Sequence, residues 1–527
     1  MSSSPTSPKS PGAPDGPGGA PTPAEPPDSR RCWWGLVVIA LAQLMVVLDA
    51  TVVNIALPSA QRDLHMSDGD RQWVITAYTL AFGGLLLLGG KVADLVGRKR
   101  TFTVGLVGFA AASALGGAAH TSTLLFAARA LQGVFAALLA PSALSLLTTT
   151  FTDVRERSKA FGIYGAIAGG GSAIGLIAGG LLTEYLDWRW CLYVNIPIAL
   201  GALAGALWLL YDHRPTHRPR LDIPGVLLGC GGLVAVVYGC SEAEPRGWGD
   251  PFVLTLLAGG VALLAVFAWW QTRARSPLLP PHIIRDRNRG GAFLTMGLAV
   301  VAMFGMFLFM TYYLQVVLGY SPVRTGLAFL PLTAAIILTS TQISARLMTH
   351  VPPRTLMVPG ALLAAVGLFL LTFLTVEPAY VSHVLPAELL VGVGMGLIFM
   401  PVMATATAGV APTESGVTSA TVNTAQQVGG SVGTALLNTI ATTTSAGYIA
   451  AHLESAAADG PLTPAVRDAV TKEGVVHGFH VAIGWGSGIM LLAAVSSGLL
   501  VTARAPKHGS PAGDPTRAAD AVARRQA

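Results

Sequence analysis

Two ionisable residues stand in stretches of chain that are otherwise apolar. Asp49 lies in the run that begins near Trp33 and ends at Pro58, and Arg129 lies in the run over 123–148. A charge at the centre of a membrane helix costs roughly 2.5–3.5 kcal/mol even on the lenient insertion scale, so such residues are functional by default. Asp49 sits nine residues before Pro58, which places it roughly 14 Å below the end of its helix at about 1.5 Å per residue. Arg129 sits six residues into a helix entering from the same side, roughly 9 Å deep by the same rise. The depths allow direct contact, or contact through polar neighbours. A carboxyl group placed this way can bind a proton and release it as access alternates, with the guanidinium as its regulator. The other reading is a polar pair that fixes helix packing.

Weaker polar signals lie later in the chain. Glu388 is near the outer end of a span, either an edge residue or a coupling or substrate carboxylate. Asn423, Gln426 and Gln427 form a polar patch that either bonds to a neighbouring helix or lines a cavity. His477 and His480 are too few for a metal, which needs three or four ligands, so neither a metal nor a cofactor is expected.

The elements that must hold these residues follow from composition. Of 527 residues, 52% are hydrophobic and only 11% charged, less than half the roughly 25% of a soluble domain. Mean hydropathy is +0.59. The 61 glycines suit helices whose backbones approach closely in a membrane. The net charge of +6 comes from short clusters between apolar runs, the pattern of membrane orientation, so no nucleic-acid partner is expected. Cys32, Cys191, Cys230 and Cys240 show no short paired spacing, and neither a disulfide framework nor a zinc site is indicated.

A helix needs about 20 apolar residues to span a bilayer. Spans are predicted near 34–58, 73–93, 101–119, 123–148, 160–183, 190–211, 223–241, 252–271, 291–317, 326–348, 355–376, 383–408, 418–445 and 476–503. The predicted fold is therefore all-α, a polytopic membrane protein of about fourteen transmembrane helices. Alternate loops hold Arg98, Lys99 and Arg100; Arg155, Arg157 and Lys159; Arg214, Arg218 and Arg220; then Arg273, Arg275, Arg285, Arg287 and Arg289; and, in the tail, Arg504 and Lys507. The opposite loops are poorer in basic residues and carry Glu184, Asp187, Glu242, Glu244, Asp250, Glu377 and Glu454. This asymmetry predicts an inner-membrane protein with both termini cytoplasmic. The expected layout is a disordered tail over 1–32, a six-helix bundle over 33–212, two inserted helices over 213–275, a second six-helix bundle over 276–505 and a disordered tail over 506–527. A weak repeat of the basic loop at Arg346 to Arg354 supports two related halves.

Several ordered segments carry a family resemblance. Leu48-Asp49-Ala50-Thr51-Val52-Val53-Asn54-Ile55-Ala56-Leu57-Pro58 resembles the first-helix signature of the fourteen-helix drug:proton antiporters of the major facilitator superfamily. Gly90-Lys91-Val92-Ala93-Asp94-Leu95-Val96-Gly97-Arg98-Lys99-Arg100 resembles the superfamily's loop between second and third helices. Arg129 with Gln132 and Gly133 is similar to the fourth-helix motif, and Trp188-Arg189-Trp190 with Asn195 and Pro197 to the sixth-helix entry. The resemblance implies that Arg129 serves proton transfer and that Gly90, Asp94, Gly97, Arg98 and Lys99 latch the halves in one conformation. Gly162, Gly171, Gly175, Gly179 and Gly180 lie in the fifth span, with the spacing of four putting Gly171, Gly175 and Gly179 on one face. This resembles the export-associated motif, except that Leu176 stands where the motif has proline.

The expectation is proton-driven export of amphipathic drugs or antibiotics by a monomer in the lipid bilayer. An importer or symporter of the same superfamily is the alternative, since fold does not set direction. An ATP-driven pump is disfavoured: Gly89-Gly90-Lys91 has its upstream glycine at the wrong spacing and Val92 in place of Ser or Thr. No metalloprotease or serine-hydrolase motif stands at a credible place, so no enzyme is expected.

Overall fold

The computed structural model describes residues 29–66, 68–151, 153–210, 221–374, 380–459 and 463–503. Both predicted tails, apart from 29–32, fall outside the described residues, as do Arg214, Arg218, Arg220, Glu377, Arg504 and Lys507. Among the described residues all regular structure is helical. The first part comprises α1 (Ser29–Asp63), α2 (Asp68–Val96), α3 (Arg98–Gly117), α4 (Ser122–Thr150), α5 (Val154–Tyr185), α6 (Trp190–Tyr193) and α7 (Asn195–Leu209). Then come α8 (Ile223–Arg246) and α9 (Pro251–Gln271). The last part comprises α10 (Pro281–Arg285), α11 (Arg287–Tyr312), α12 (Pro322–Ala328), α13 (Leu330–Leu338), α14 (Ala345–Leu347), α15 (Arg354–Leu371), α16 (Leu385–Thr407), α17 (Ser415–Asp459) and α18 (Pro464–Leu500).

Eleven helices among the described residues are long and apolar enough to cross a membrane. The remaining predicted spans, 101–119, 160–183 and 418–445, coincide with α3, α5 and α17, of 20, 32 and 45 residues. At about 1.5 Å per residue these are long enough. α3 opens on three basic residues and α17 is rich in Ser and Thr, which lowers their apolarity, while several side chains of α5 lie outside what the structure describes.

Several boundaries differ from expectation for local reasons. α1 begins at Ser29, inside the predicted tail, and Arg31 Nε and Nη2 donate to the Leu209 and Trp208 carbonyls at 3.2 and 3.0 Å. The span over 190–211 is interrupted at Val194, where Pro197 cannot donate to the carbonyl one turn back. α17 and α18 continue well past the apolar stretches that located them. Thr463 caps α18 by accepting from the Val466 amide at 3.3 Å, so hydropathy underestimated helices that run on as polar chain.

The helices pack as two groups. α1 lies against α5 and α7, α2 against α4, and α3 against α4 and α7; further on, α11 lies against α17 and α18, α15 against α16 and α18, and α13 against α16. Across the groups α2 meets α17, and α5 meets α13 and α16, while α8 pairs with α9 and leans on α2 and α17. One face of the molecule gathers the end of α2 and the starts of α3, α11 and α17. There Lys91 Nζ donates to Pro277 O at 3.0 Å, Arg289 Nη2 to Ala408 O at 3.1 Å, and His282 Nε2 meets Glu414 Oε2 at 3.0 Å. We call this the basic face.

Candidate carrier site

Arg129 reaches its site because of how α4 starts. Thr121 caps the helix by accepting from the Leu124 amide at 3.3 Å, which sets Arg129 two turns inside the opposite face. Gly133 lets α4 close on α2: a Cβ there would lie 2.5 Å from Tyr78 O and 2.8 Å from Ala81 Cβ. With the helices this close, Arg129 Nε donates to Val74 O at 3.2 Å, and its guanidinium carbon lies 4.3 Å from the Tyr78 ring centroid.

Asp49 and Arg129 meet directly, as their predicted depths allow. Nη1 donates to Asp49 Oδ2 at 2.6 Å, with the aspartate 0% and the arginine 2% exposed. Asp49 Oδ1 accepts from Gln132 Nε2 at 3.0 Å and Asn195 Nδ2 at 2.8 Å. Gln132 Oε1 accepts from Arg129 Nη1 at 2.9 Å, and Gln132 Nε2 also donates to Ser113 Oγ at 2.8 Å. Every contact to the carboxyl group is a donor, so this constellation holds a carboxylate. Through these contacts the carboxylate ties α1 to α4 and α7. Ser113 and Tyr78 were not singled out in the sequence; a serine in an alanine-rich helix and a tyrosine in an apolar run carry no distinguishing pattern.

On the basic face, Asp94 bridges the two groups of helices. Oδ1 accepts from the Gly416 amide at 3.0 Å and Oδ2 from the Val417 amide at 3.1 Å, capping the start of α17. Arg98 Nη2 stands 3.6 Å from Oδ1. Gly90 permits the approach, since a Cβ would lie 2.5 Å from both Gly416 O and Ala420 Cβ. Gly97 has φ 110° as it turns α2 into α3, a conformation that favours glycine. Ser145 and Ser415 hydroxyls add a 2.6 Å contact between α4 and α17. Lys99 is not part of this junction: Nζ donates to Leu207 O and Leu210 O at 2.9 and 2.8 Å, capping the end of α7 within the first group. Its place in the chain beside Arg98 hid that, because successive residues on a helix point about 100° apart.

The glycines of α5 divide between two partners. Cβ atoms on Gly171 and Gly179 would lie 3.1 Å from Val47 Cγ1 and Val52 Cα, and one on Gly175 would run into Thr51 Oγ1. This face backs the turn of α1 that carries Asp49. Gly162 and Gly180 face the second group instead: Ser340 Oγ donates to Gly162 O at 2.9 Å, and a Cβ on Gly180 would lie 3.1 Å from Val323 Cγ2. The Leu176 side chain lies outside what the structure describes.

The four candidate cavity residues are not brought together. Asn423 Nδ2 donates within its own helix to Ser419 O at 2.9 Å, and Gln426 Nε2 lies 3.5 Å from Met296 Sδ on α11. Gln427 covers Gly83 of α2, its Cγ 2.8 Å from where a Cβ would stand. Glu388 is on α16 near the opposite face, with Tyr380 beside it at 3.4 Å. His480 Nε2 lies 2.7 Å from Leu374 O, and the His477 ring tilts against Tyr448 at 4.8 Å. Among the described residues there is no group of three His, Cys, Asp or Glu placed to hold a metal, and the four cysteines are buried and form no disulfide.

A charged pair kept from water between helices apolar enough to cross a membrane marks a multi-pass membrane protein. A family model makes the assignment specific. Residues 39–434 match the Major Facilitator Superfamily, and the chain belongs to it. It is 58% identical over 496 residues to a puromycin resistance protein of Streptomyces alboniger, covering 93% of this chain and 96% of that one. It is 38% identical to a cephamycin export protein of Amycolatopsis lactamdurans, covering 85% and 95%. A tetracenomycin C resistance and export protein of Streptomyces glaucescens is 37% identical, covering 78% and 76%. In fold, the chain is similar to the crystal structure of a human organic anion transporter, with TM-score 0.57, 14% identity and 89% and 100% coverage.

Proposed function

We propose that this chain exports amphipathic antibiotics across the cytoplasmic membrane, driven by protons that enter in exchange. The observation that carries the reading is the buried Asp49–Arg129 pair at 2.6 Å, saturated by Gln132 and Asn195. It forms a site that can take a proton only by breaking a contact between helices. The names of the relatives supply the direction and the substrate class: each is a resistance or export protein. Puromycin is the first compound to test, because the relative of 58% identity carries its name.

In this reading the chain crosses the membrane fourteen times, with bundles over 33–212 and 276–505, an inserted pair over 213–275, and terminal tails over 1–32 and 506–527. The basic face is cytoplasmic, with both termini on that side, which agrees with the positive-inside rule. The chain works as a monomer, with no cofactor and no nucleic-acid partner. Gly90, Asp94, Gly97 and Arg98 close the cytoplasmic side. The Asp49 cluster then responds from the outer half of the first bundle, and the α5 glycine face lets α1 shift against α5.

The test is substrate-induced proton movement in proteoliposomes holding the full chain. Adding puromycin under an imposed pH gradient should release protons in step with puromycin movement, in opposite directions. Movement of both in the same direction would make the protein a symporter, and puromycin movement indifferent to the gradient would remove the coupling.

A further inference from the structure

A second fully buried carboxyl group lies outside the Asp49 cluster. Glu388 is 0% exposed, close to the start of α16 at the end away from the basic face. Its Oε1 has no hydrogen-bond partner among the described residues. The titratable side chain that acts on it is Tyr380, which in turn faces Tyr320. No helix packed on α16 brings a cation into ion-pair distance of Glu388 among the described residues, in contrast to Asp49 with Arg129.

The polarity of the Tyr380 contacts assigns a proton to Glu388. The Tyr380 hydroxyl lies 2.6 Å from Ala328 O and 3.4 Å from Glu388 Oε2. A phenol has a single proton and a backbone carbonyl can only accept, so that proton lies on the short bond. Tyr380 therefore turns a lone pair toward Glu388, and the longer contact closes when Oε2 carries a proton and donates it. A carboxylate there would set lone pair against lone pair and leave a bare charge out of water, which burial penalises heavily.

Beyond Tyr380 is an open cleft of about 840 Å³, lined by Tyr320, Arg324, Leu327, Pro331 and Tyr380. Arg324, the charged residue of this lining, is held with its guanidinium 3.8 Å from the Tyr320 ring centroid. Tyr380 thus stands as a partition between the cleft and the buried acid. It belongs to a π-helical turn, Tyr380–Val384, a backbone form frequent at functional sites.

We propose that Glu388 is a second proton carrier, loaded from this cleft past Tyr380 while Arg129 holds Asp49 closed. As Tyr380 leaves Ala328, hydronium in the cleft gives its proton to the Glu388 carboxylate, leaving water and a neutral acid. When the site turns to the other side, the acid returns that proton to water. The two carriers are loaded out of phase: in this conformation Asp49 is ionised and paired while Glu388 is neutral.

The proposal rests on the proton-driven reading only in its transport arm. The first arm is infrared difference spectroscopy of the full chain in lipid nanodiscs, following the carbonyl stretch of protonated carboxyl groups at neutral pH. The expected result is a band that disappears in Glu388→Gln and shifts in Tyr380→Phe, which keeps the acid and removes its neighbour. The Tyr380→Phe shift alone decides this arm should the glutamine variant not fold. The second arm counts protons exchanged per puromycin in proteoliposomes, where Glu388→Gln should still transport with one proton fewer. A spectrum without such a band, a band unchanged in both variants, or an unchanged proton count overturns the proposal. If wild type moves no puromycin, the export reading fails on that compound and the spectroscopic arm still decides Glu388.

Discussion

The two fully buried acids among the described residues, one in each group of helices, are solved in opposite ways. Asp49 accepts from Arg129, Gln132 and Asn195, so its charge is compensated and its lone pairs are spent. Among the described residues Glu388 has one weak neighbour, an Oε1 without a partner and no cation within ion-pair distance. The difference shows that burial by itself says little about a carboxyl group's state; the donors and cations around it decide. It also means that Asp49 is tied mechanically to two other helices, α4 and α7, whereas Glu388 is tied to a single turn.

The largest effect should follow from breaking the charge pair. Asp49→Asn leaves Arg129 buried without its counter-charge, a loss of about 3–5 kcal/mol for a broken buried pair, and proton-coupled export should stop. Pairing it with Arg129→Gln should restore thermal stability in detergent but not transport. Glu388→Gln strands no cation, so its unfolding temperature should stay near wild type; an equal drop for Glu388→Gln and Asp49→Asn would erase the contrast between the bundles.

The next effect is at the basic face, where a carboxylate again meets donors, but backbone ones. Asp94→Ala removes the cap of α17, worth about 1 kcal/mol, which shifts a conformational equilibrium roughly fivefold. Turnover should fall several-fold while puromycin binding at equilibrium stays nearly intact. Arg98→Ala should move turnover in the same direction by less, and Lys99→Ala should leave turnover alone while lowering stability slightly, since Lys99 serves α7. A Lys99→Ala phenotype as large as that of Asp94→Ala would place Lys99 back in the latch.

The smallest effect concerns an exposed acid, which sharpens what burial adds. Asp63 accepts from Trp188 Nε1 at 3.1 Å and pairs with Arg189 Nη1 at 2.8 Å. The Trp188 bond first, then Arg189, hold its carboxyl below the ordinary value of 3.8. A carboxyl group depressed in the folded state stabilises above its unfolded pKa, and that stabilisation is lost as pH falls through the folded one. Asp63→Asn should therefore lower the unfolding temperature slightly at neutral pH, with the gap closing below about pH 4. A gap that widened in acid would reverse the sign.

By itself the sequence determined that the chain is helical and membrane-spanning, because continuous apolar runs of about 20 residues satisfy their backbone in lipid as helices, whereas barrel strands alternate over about ten. It singled out Asp49 and Arg129, since a charge in an apolar run stands out at once, and their helix depths allowed the direct contact found at 2.6 Å. The glycine spacing in α5 likewise showed which residues share a face. Only the tertiary structure decided what each face meets. Asp94 caps a helix more than 300 residues on, as the contacts to Gly416 and Val417 show, and Lys99 turns to α7 instead. Ser113, Tyr78 and Tyr380 entered only with the fold, for a hydroxyl in an apolar helix looks the same in sequence whether it faces a carboxylate or its own backbone. Composition and period are local properties that one strand of text carries. The partner of a buried polar group is set by which helices come side by side, and that is decided by packing across the whole chain.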